Sequence, residues 1–152
     1  MTILIVFATN SGGTQEAVGL VEETLKSLHF TVSVKPALQA LPDDITSSNA
    51  IILASPSWDY GNEEGQPHED FFPFMKLCEG KVFEGKPFAI LGLGDSSYTK
   101  FCGAVDHLET FVKTLHGTLV VPSLRIDGYY SRHDNPDKVK AWTNTLVKTF
   151  PQ

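Results

Sequence analysis

Short apolar runs alternate along the chain with stripes of apolar residues at helical spacing. Five runs rich in β-branched residues predict strands, at residues 2–8, 30–34, 50–54, 87–93 and 119–124. Stripes that recur every three or four positions predict helices, at about residues 17–29, 69–77, 105–115 and 136–150. Strands separated by such helices pair in parallel through right-handed crossovers. The pattern therefore predicts an α/β fold with a three-layer, doubly wound, five-stranded parallel sheet.

Three loops of unusual composition follow strands of this predicted sheet. Ligands of doubly wound sheets bind beyond the carboxyl ends of the strands, where the strand order reverses. That rule selects residues 9–14, residues 55–68 and residues 94–103. We expect Pro56 to end the third strand and residues 57–68 to form a long loop.

The first of these loops, T-N-S-G-G-T, has the composition of a phosphate cradle. Its two glycines can turn successive backbone N–H groups inward, and the helix that follows contributes the positive end of its dipole. The hydroxyls of Thr9, Ser11 and Thr14 can donate as well. The loop has no Lys or Arg, so it is not a nucleotide-triphosphate loop. A Gly-rich helix entry that binds nothing is the alternative.

Aromatic residues stand in the other two loops. Trp58 and Tyr98 are positioned to flank a flat, conjugated ligand from two sides. The alternative is that Trp58 packs under its own loop and Tyr98 packs on the neighbouring helix.

Composition and charge narrow the class of function. A chain of 152 residues predicts a single domain, residues 1–152. The net charge of −6 argues against nucleic-acid binding. Residues 1–75 hold two basic and ten acidic residues, and residues 36–75 hold no Lys or Arg. Such asymmetry marks either a solvated face or a docking face for a basic partner.

Other features point to a cytoplasmic protein that binds neither a membrane nor a metal. No apolar run approaches the roughly 18 residues of a membrane span, and no basic residue precedes the first apolar run as in a secretory signal. The two cysteines form no C-x-x-C pair and are expected to be reduced thiols. The five histidines are scattered without zinc-ligand spacing.

Three motifs together resemble the flavodoxins, small FMN proteins that carry single electrons. They are T-N-S-G-G-T at 9–14, P-S-W-D-Y-G at 56–61 and L-G-L-G-D-S-S-Y-x-x-F-C-G-A-V-D at 91–106. The likeness covers essentially the whole chain, in order. It implies a flavodoxin-like fold with strand order 2-1-3-4-5. The chain lacks the long fifth-strand insertion of long-chain flavodoxins, so it resembles the short-chain group.

The resemblance also implies an FMN site in the three loops. Residues 9–14 would bind the phosphate, Trp58 and Tyr98 would sandwich the isoalloxazine ring, and the peptide after Asp59 would lie beside flavin N5. Backbone groups around Gly94, Asp95 and Cys102 would bind the pyrimidine edge. The expected cofactor-binding residues are Thr9, Asn10, Ser11, Gly12, Gly13, Thr14, Pro56, Ser57, Trp58, Asp59, Tyr60, Gly61, Leu93, Gly94, Asp95, Tyr98, Phe101 and Cys102.

Two residues and one loop depart from the family pattern. Gly13 replaces a residue that is often Asn, and Asp59 stands where small residues are frequent. Residues 62–68 (N-E-E-G-Q-P-H) form a longer loop than expected in short-chain relatives.

The implied function is that of a low-potential one-electron carrier without a catalytic residue. It would bind FMN non-covalently and use the semiquinone/hydroquinone couple to shuttle electrons between a flavodoxin reductase and acceptor enzymes. Our hypothesis is that the Asp59–Tyr60 peptide turns to accept the N5 proton and that nearby acids disfavour the fully reduced anion. We expect a monomer whose acidic face steers redox partners with basic surfaces.

Two other functions compete with this one. An FMN-dependent quinone or nitro reductase on the same fold would need a substrate pocket over the flavin, and steady-state turnover with NAD(P)H would support it. A phosphoacceptor signalling domain would need acidic residues at the end of the first strand, where the chain has Phe7, Ala8 and Thr9. We reject this second alternative.

Overall fold

Strands and helices alternate along the chain as the apolar pattern predicts. The computed structural model describes residues 1–9, 12–60, 63–96, 101–130 and 132–150, apart from the side chains of residues 58–60 and 63. The strands are β1 (Thr2–Phe7), β2 (Thr31–Pro36), β3 (Ala50–Tyr60), β4 (Glu63–Pro67), β5 (Pro87–Gly94), β6 (Thr118–Leu119) and β7 (Leu124–Asp127). The helices are α1 (Gly13–Ser27), α2 (Pro42–Thr46), α3 (Phe71–Leu77), α4 (Gly103–Thr114) and α5 (Asn135–Val147), with a 3-10 turn at Ala37–Gln39.

The sheet has the predicted topology. Its strands lie in the order β2-β1-β3-β5, with β6 and β7 both paired to β5, and all of these pairings are parallel. The segments β6 and β7 together form the predicted fifth strand, so the parallel strands follow the order 2-1-3-4-5. Four residues that include Pro122, which has no N–H to donate, separate the two segments.

Apolar residues fill both faces of the sheet. In β1, Ile3 and Ile5 belong to the cluster under α1 and α5, whereas Leu4 and Val6 belong to the cluster under α3 and α4. All four are at most 1% exposed. This alternation, with both sets buried, is what places β1 at the centre of a three-layer structure.

Two predictions about the third strand are wrong. β3 does not end at Pro56 but continues to Tyr60, and residues 57–68 are not one long loop because β4 pairs antiparallel with the end of β3. The pairing of β1 with β3 ends at Ala54. The backbone nitrogen of Pro56, two residues later, points to the same side of β3 as that of Ala54, towards β1. Because β1 no longer pairs with β3 at that point, Pro56 does not need an N–H to donate to the ladder.

No helix in the described part of the chain is long and apolar enough to cross a membrane.

Candidate functional site

The strand registers bring three of the predicted loops to one edge of the sheet. Phe7 lies beside Ala54, Pro56 beside Leu93, and Gly94 beside Asp127. The carboxyl ends of four neighbouring strands therefore meet there, together with the N-termini of α1 and α4. The described site residues that the sequence predicts occur at this carboxyl edge.

Some predicted site residues cannot be placed. Asn10, Ser11, Gly61 and Tyr98 lie outside the described residues. Trp58, Asp59 and Tyr60 are described as backbone within β3, without their side chains. The expected pair of rings on opposite sides of a ligand therefore stays a prediction.

The turn before α1 is built around Gly12. Its φ of 89° lies in the left-handed region that glycine adopts without strain. Its N–H donates to Thr9 Oγ1 at 3.0 Å, so the Thr9 oxygen closes the turn and its own O–H remains as a donor. Gly13 packs on Leu93, because a Cβ built there would lie 3.2 Å from Leu93 Cδ2. Thr14, at 2% exposure, is buried behind the turn.

The first turn of α1 fits a phosphate group. Its N-cap, Gly12, has no side chain to satisfy the backbone N–H groups that a helix start leaves unpaired. Those N–H groups and the helix dipole attract an anion without any cationic side chain. Against this, Glu16 places a carboxylate in the same turn.

The hairpin of β3 and β4 contains a bulge opposite one expected cofactor contact, Asp59. Trp58 lies opposite Gln66 and Tyr60 opposite Glu63, and the register shifts between these two pairs. β3 has only Asp59 between these pairs, whereas β4 has Glu64 and Gly65, so the extra residue of the bulge lies on β4, where Gly65 has a φ of 78°.

Side-chain hydroxyls anchor the same hairpin. Ser55 Oγ accepts the His68 backbone N–H at 3.0 Å and donates to the Pro56 carbonyl at 2.8 Å. Ser57 Oγ accepts the Ala104 N–H at 3.1 Å, in the first turn of α4. Ser57 therefore caps a helix, a role that its place in the P-S-W motif does not reveal.

Cys102 forms the entry to α4 in an unusual conformation. Its φ of 49° is left-handed, and its carbonyl accepts Arg125 Nη1 at 3.1 Å. The thiol is completely buried, facing the carbonyls of Gly92 and Ile126 at 3.8 and 3.7 Å. Burial raises the pKa of Cys102 to about 12, so the thiol stays protonated at neutral pH. The sulfur of Cys102 is therefore not available to a ligand.

The remaining expected contacts lie around the same entry. Gly94 packs closely on Cys102, since a Cβ built there would lie 2.8 Å from Sγ and 3.0 Å from the backbone nitrogen. The Gly94 carbonyl is already used, accepting the Gly128 N–H at 2.9 Å. Asp95 is exposed, and Phe101 is half-buried against the apolar cluster under α3 and α4.

Asp127 is a structural residue of the site that the sequence analysis missed. Its carboxylate accepts the Ser96 N–H at 2.9 Å, the Ser96 hydroxyl at 2.8 Å and Arg132 Nη2 at 2.9 Å. These hydrogen bonds from Ser96, with the charge of Arg132, lower the pKa of Asp127. Its position in the sequence could have identified it. Asp127 ends β7, and the loop after the fifth predicted strand lies at the same edge as the other three candidate loops.

Acidic residues surround this edge. Glu64 lies in β4, Glu69 and Asp70 precede α3, and Asp95 follows β5. Part of the acidic excess of residues 1–75 therefore lies at the carboxyl edge.

Comparisons with known proteins agree with the fold. The flavodoxin family model matches residues 5–142. The chain is 32% identical over 144 residues to a flavodoxin of Maridesulfovibrio salexigens, an alignment that covers 95% of each chain.

Solved structures are similar as well. Oxidised flavodoxin 2 from Bacillus cereus has a TM-score of 0.89 at 25% identity, covering 99% of this chain and all of that one. The flavodoxin from Fusobacterium nucleatum bound to flavin mononucleotide has a TM-score of 0.84 at 20% identity, covering 99% of each chain.

Proposed function

The chain belongs to the flavodoxin family, and from this premise we propose that it binds FMN non-covalently and carries single electrons at low potential between a reductase and acceptor enzymes. Flavodoxins are electron-transfer proteins rather than enzymes, and flavodoxin is a standard example of a doubly wound sheet that binds FMN where the strand order reverses. The observation that carries the proposal is the convergence of the three motif-bearing segments at that edge.

The first turn of α1 would hold the phosphate. Backbone N–H groups after Gly12 and the hydroxyl of Thr9 supply neutral donors, and the helix dipole supplies the attraction. We include Asn10, Ser11 and Gly13 in this cradle on the basis of the family motif.

Trp58 and Tyr98 would enclose the ring system and exclude water from it. When bound, FMN supplies the capacity to take up and release electrons one at a time. The backbone of Leu93, Gly94, Asp95, Phe101 and Cys102 would contact its polar edge. The fixed entry to α4 supports this role, because Arg125 and the packing of Gly94 hold the Cys102 backbone in place.

The Asp59–Tyr60 peptide would be the adjustable contact. The bulge on β4 interrupts the regular ladder opposite this peptide, which supports a segment that can present either its carbonyl or its N–H to the ring. Asp also tolerates unusual backbone angles better than most residues. The neighbouring residues Pro56, Ser57 and Gly61 would fix the two ends of this segment.

Local charge would keep the potential low. Segment 36–75 contains no Lys or Arg, and Glu64, Glu69 and Asp70 lie near the edge. Negative charge added to a water-poor site is repelled by these carboxylates, since Coulomb interactions strengthen as the local dielectric constant falls. The same carboxylates would steer redox partners with basic surfaces.

Spectroscopy of the purified protein tests the proposal. We expect a yellow protein whose flavin fluorescence is quenched, and a redox titration that resolves two separate one-electron steps. Colourless, folded protein that takes up no FMN at micromolar concentration would refute cofactor binding. Two overlapping steps, or steady-state quinone reduction with NAD(P)H alone, would refute the carrier role.

A further inference from the structure

The turn after β7 places a phenol next to the start of α1. A Cβ built on Gly12 would lie 3.6 Å from the hydroxyl oxygen of Tyr130, and one built on Gly13 would lie 3.5 Å from Tyr130 Cε2. The side chain of Tyr130 therefore reaches over the left-handed turn that begins the helix. Tyr130 is 64% exposed, so burial in the core does not account for its position.

The backbone leading to Tyr130 is firmly held. Asn135, which is completely buried, donates its side-chain amide to the carbonyls of Asp127, Gly128 and Tyr129 at 3.1, 3.2 and 3.2 Å. The ring of Tyr130 meets that of Tyr129 edge to face, with centroids 5.3 Å apart. These contacts place the phenol beside the first turn of α1.

The charges around the phenol favour its use as a neutral donor. Desolvation and the neighbouring Glu16 carboxylate raise the pKa of Tyr130, which keeps the hydroxyl protonated at neutral pH. Arg132, two residues on, is paired with Asp127 at 2.9 Å. A phosphate at the first turn of α1 would therefore meet a phenolic O–H on this side.

We propose that Tyr130 is a further phosphate-binding residue, whose hydroxyl donates to the phosphate of FMN at the N-terminus of α1. The inference rests on the proposed function. In the free protein Glu16 is the competing acceptor for this hydroxyl, and the bound phosphate replaces it. Tyr130 should then strengthen binding of FMN but not of riboflavin, which has the same ring system and no phosphate.

Flavin titrations of the full-length apoprotein test this role. Quenching of flavin fluorescence gives the Kd for FMN and for riboflavin in wild type and in Tyr130→Phe. We expect the substitution to raise the Kd for FMN about tenfold or more, since hydrogen bonds to charged groups contribute about 1.5–3 kcal/mol. The Kd for riboflavin should stay within about twofold. Tyr129→Phe is the matched control, because its buried hydroxyl has no hydrogen-bond partner among the residues that the structure describes, and it should change neither Kd.

The outcomes separate this inference from the function on which it rests. An unchanged Kd for FMN in Tyr130→Phe, or an equal loss for FMN and riboflavin, would overturn the inference while wild-type FMN binding stands. Glu16→Gln should bind FMN as well as wild type or better, because it removes a repelling carboxylate. If it instead weakens FMN as much as Tyr130→Phe does, Tyr130 acts only by ordering the turn through Glu16. Wild-type protein that binds neither flavin would defeat both proposals.

Discussion

Glycine occupies two physically different kinds of position in this chain. Gly103 opens α4 directly against β4, and a Cβ there would lie 2.7 Å from the Gly65 carbonyl oxygen and 2.8 Å from Gly65 Cα. Gly19 lies inside α1, where nothing comes within 4 Å of an added Cβ. Gly103 must be glycine because backbone faces backbone there, whereas Gly19 has room for a side chain.

Gly103→Ala should therefore damage the site. Backbone cannot rotate away as a side chain does, so α4 and β4 must separate. We expect the free energy of unfolding to fall by about 1–3 kcal/mol, together with weaker FMN binding, measured by urea unfolding and flavin titration. Gly19→Ala is the control and should raise the free energy of unfolding by about 0.5–1 kcal/mol. Equal effects of the two substitutions would contradict the close approach.

The buried thiols make stability sensitive to alkaline pH. Burial raises the pKa of Cys78 from its ordinary 9.0 to about 11 and that of Cys102 to about 12. Both pKa values in the folded protein exceed the pKa of an unfolded thiol. The stabilisation that the buried, protonated thiols contribute is therefore complete below pH 9 and is lost as pH rises towards 11–12. We expect the free energy of unfolding to fall over that window, and to fall less steeply in Cys78→Ala. Parallel pH profiles for the two proteins would show that this thiol is not responsible.

Single residues divide into those whose role could be read from the sequence and those whose role could not. Gly12 was predictable because a helix entry after a buried strand needs special backbone angles. The cap formed by Ser57 and the carboxylate network of Asp127 were not. Their partners lie 47 and 31 residues away in the chain, and local pattern carries no information about such pairs.

Among the secondary-structure elements, the hairpin at the site was the one that sequence reasoning misjudged. β4 reads E-E-G-Q-P, a composition depleted in strands. It forms nonetheless because Ser55 holds one end and because Gly65 allows α4 to approach. The parallel strands were predictable because their apolar runs are buried on both faces. Tertiary contacts therefore determine whether the hairpin forms, whereas the local apolar sequence is enough to predict the central strands.

Ser57 joins this hairpin to α4, so its hydroxyl should affect the stability of both. Ser57→Ala removes the acceptor for the Ala104 N–H in a buried helix start. We expect a loss of about 1 kcal/mol in the free energy of unfolding, measured in urea, whereas Ser57→Thr keeps the hydroxyl and most of the stability. Ser47→Ala, which removes an exposed hydroxyl, is the control. A Ser57→Ala protein as stable as that control would show that the cap contributes nothing.

Over the whole molecule, fold and charge distribution point to the same edge. The strand order places the motif-bearing segments together, and the chain order of the acids puts Glu64, Glu69 and Asp70 beside them. Glu23, Glu79 and Glu84 stand instead near the end of α1 or between α3 and the start of β5, towards the opposite edge. The two sets carry equal charge and differ in place, so they allow a test of position rather than of net charge.

Replacing Glu64 and Glu69 with Gln, and Asp70 with Asn, should slow electron transfer to a lysine-rich cytochrome c, used as a basic acceptor. Steering by complementary charge raises association rates by about 10–10³-fold and is screened by salt, with a Debye length of about 10 Å at 0.1 M. We expect the bimolecular rate constant at low ionic strength to fall about tenfold, and its dependence on salt to flatten. Glu23→Gln, Glu79→Gln and Glu84→Gln together make the same change in net charge and should leave the rate within about twofold. If both triple variants slow transfer equally, net charge alone attracts the acceptor and the carboxyl edge is not its docking face.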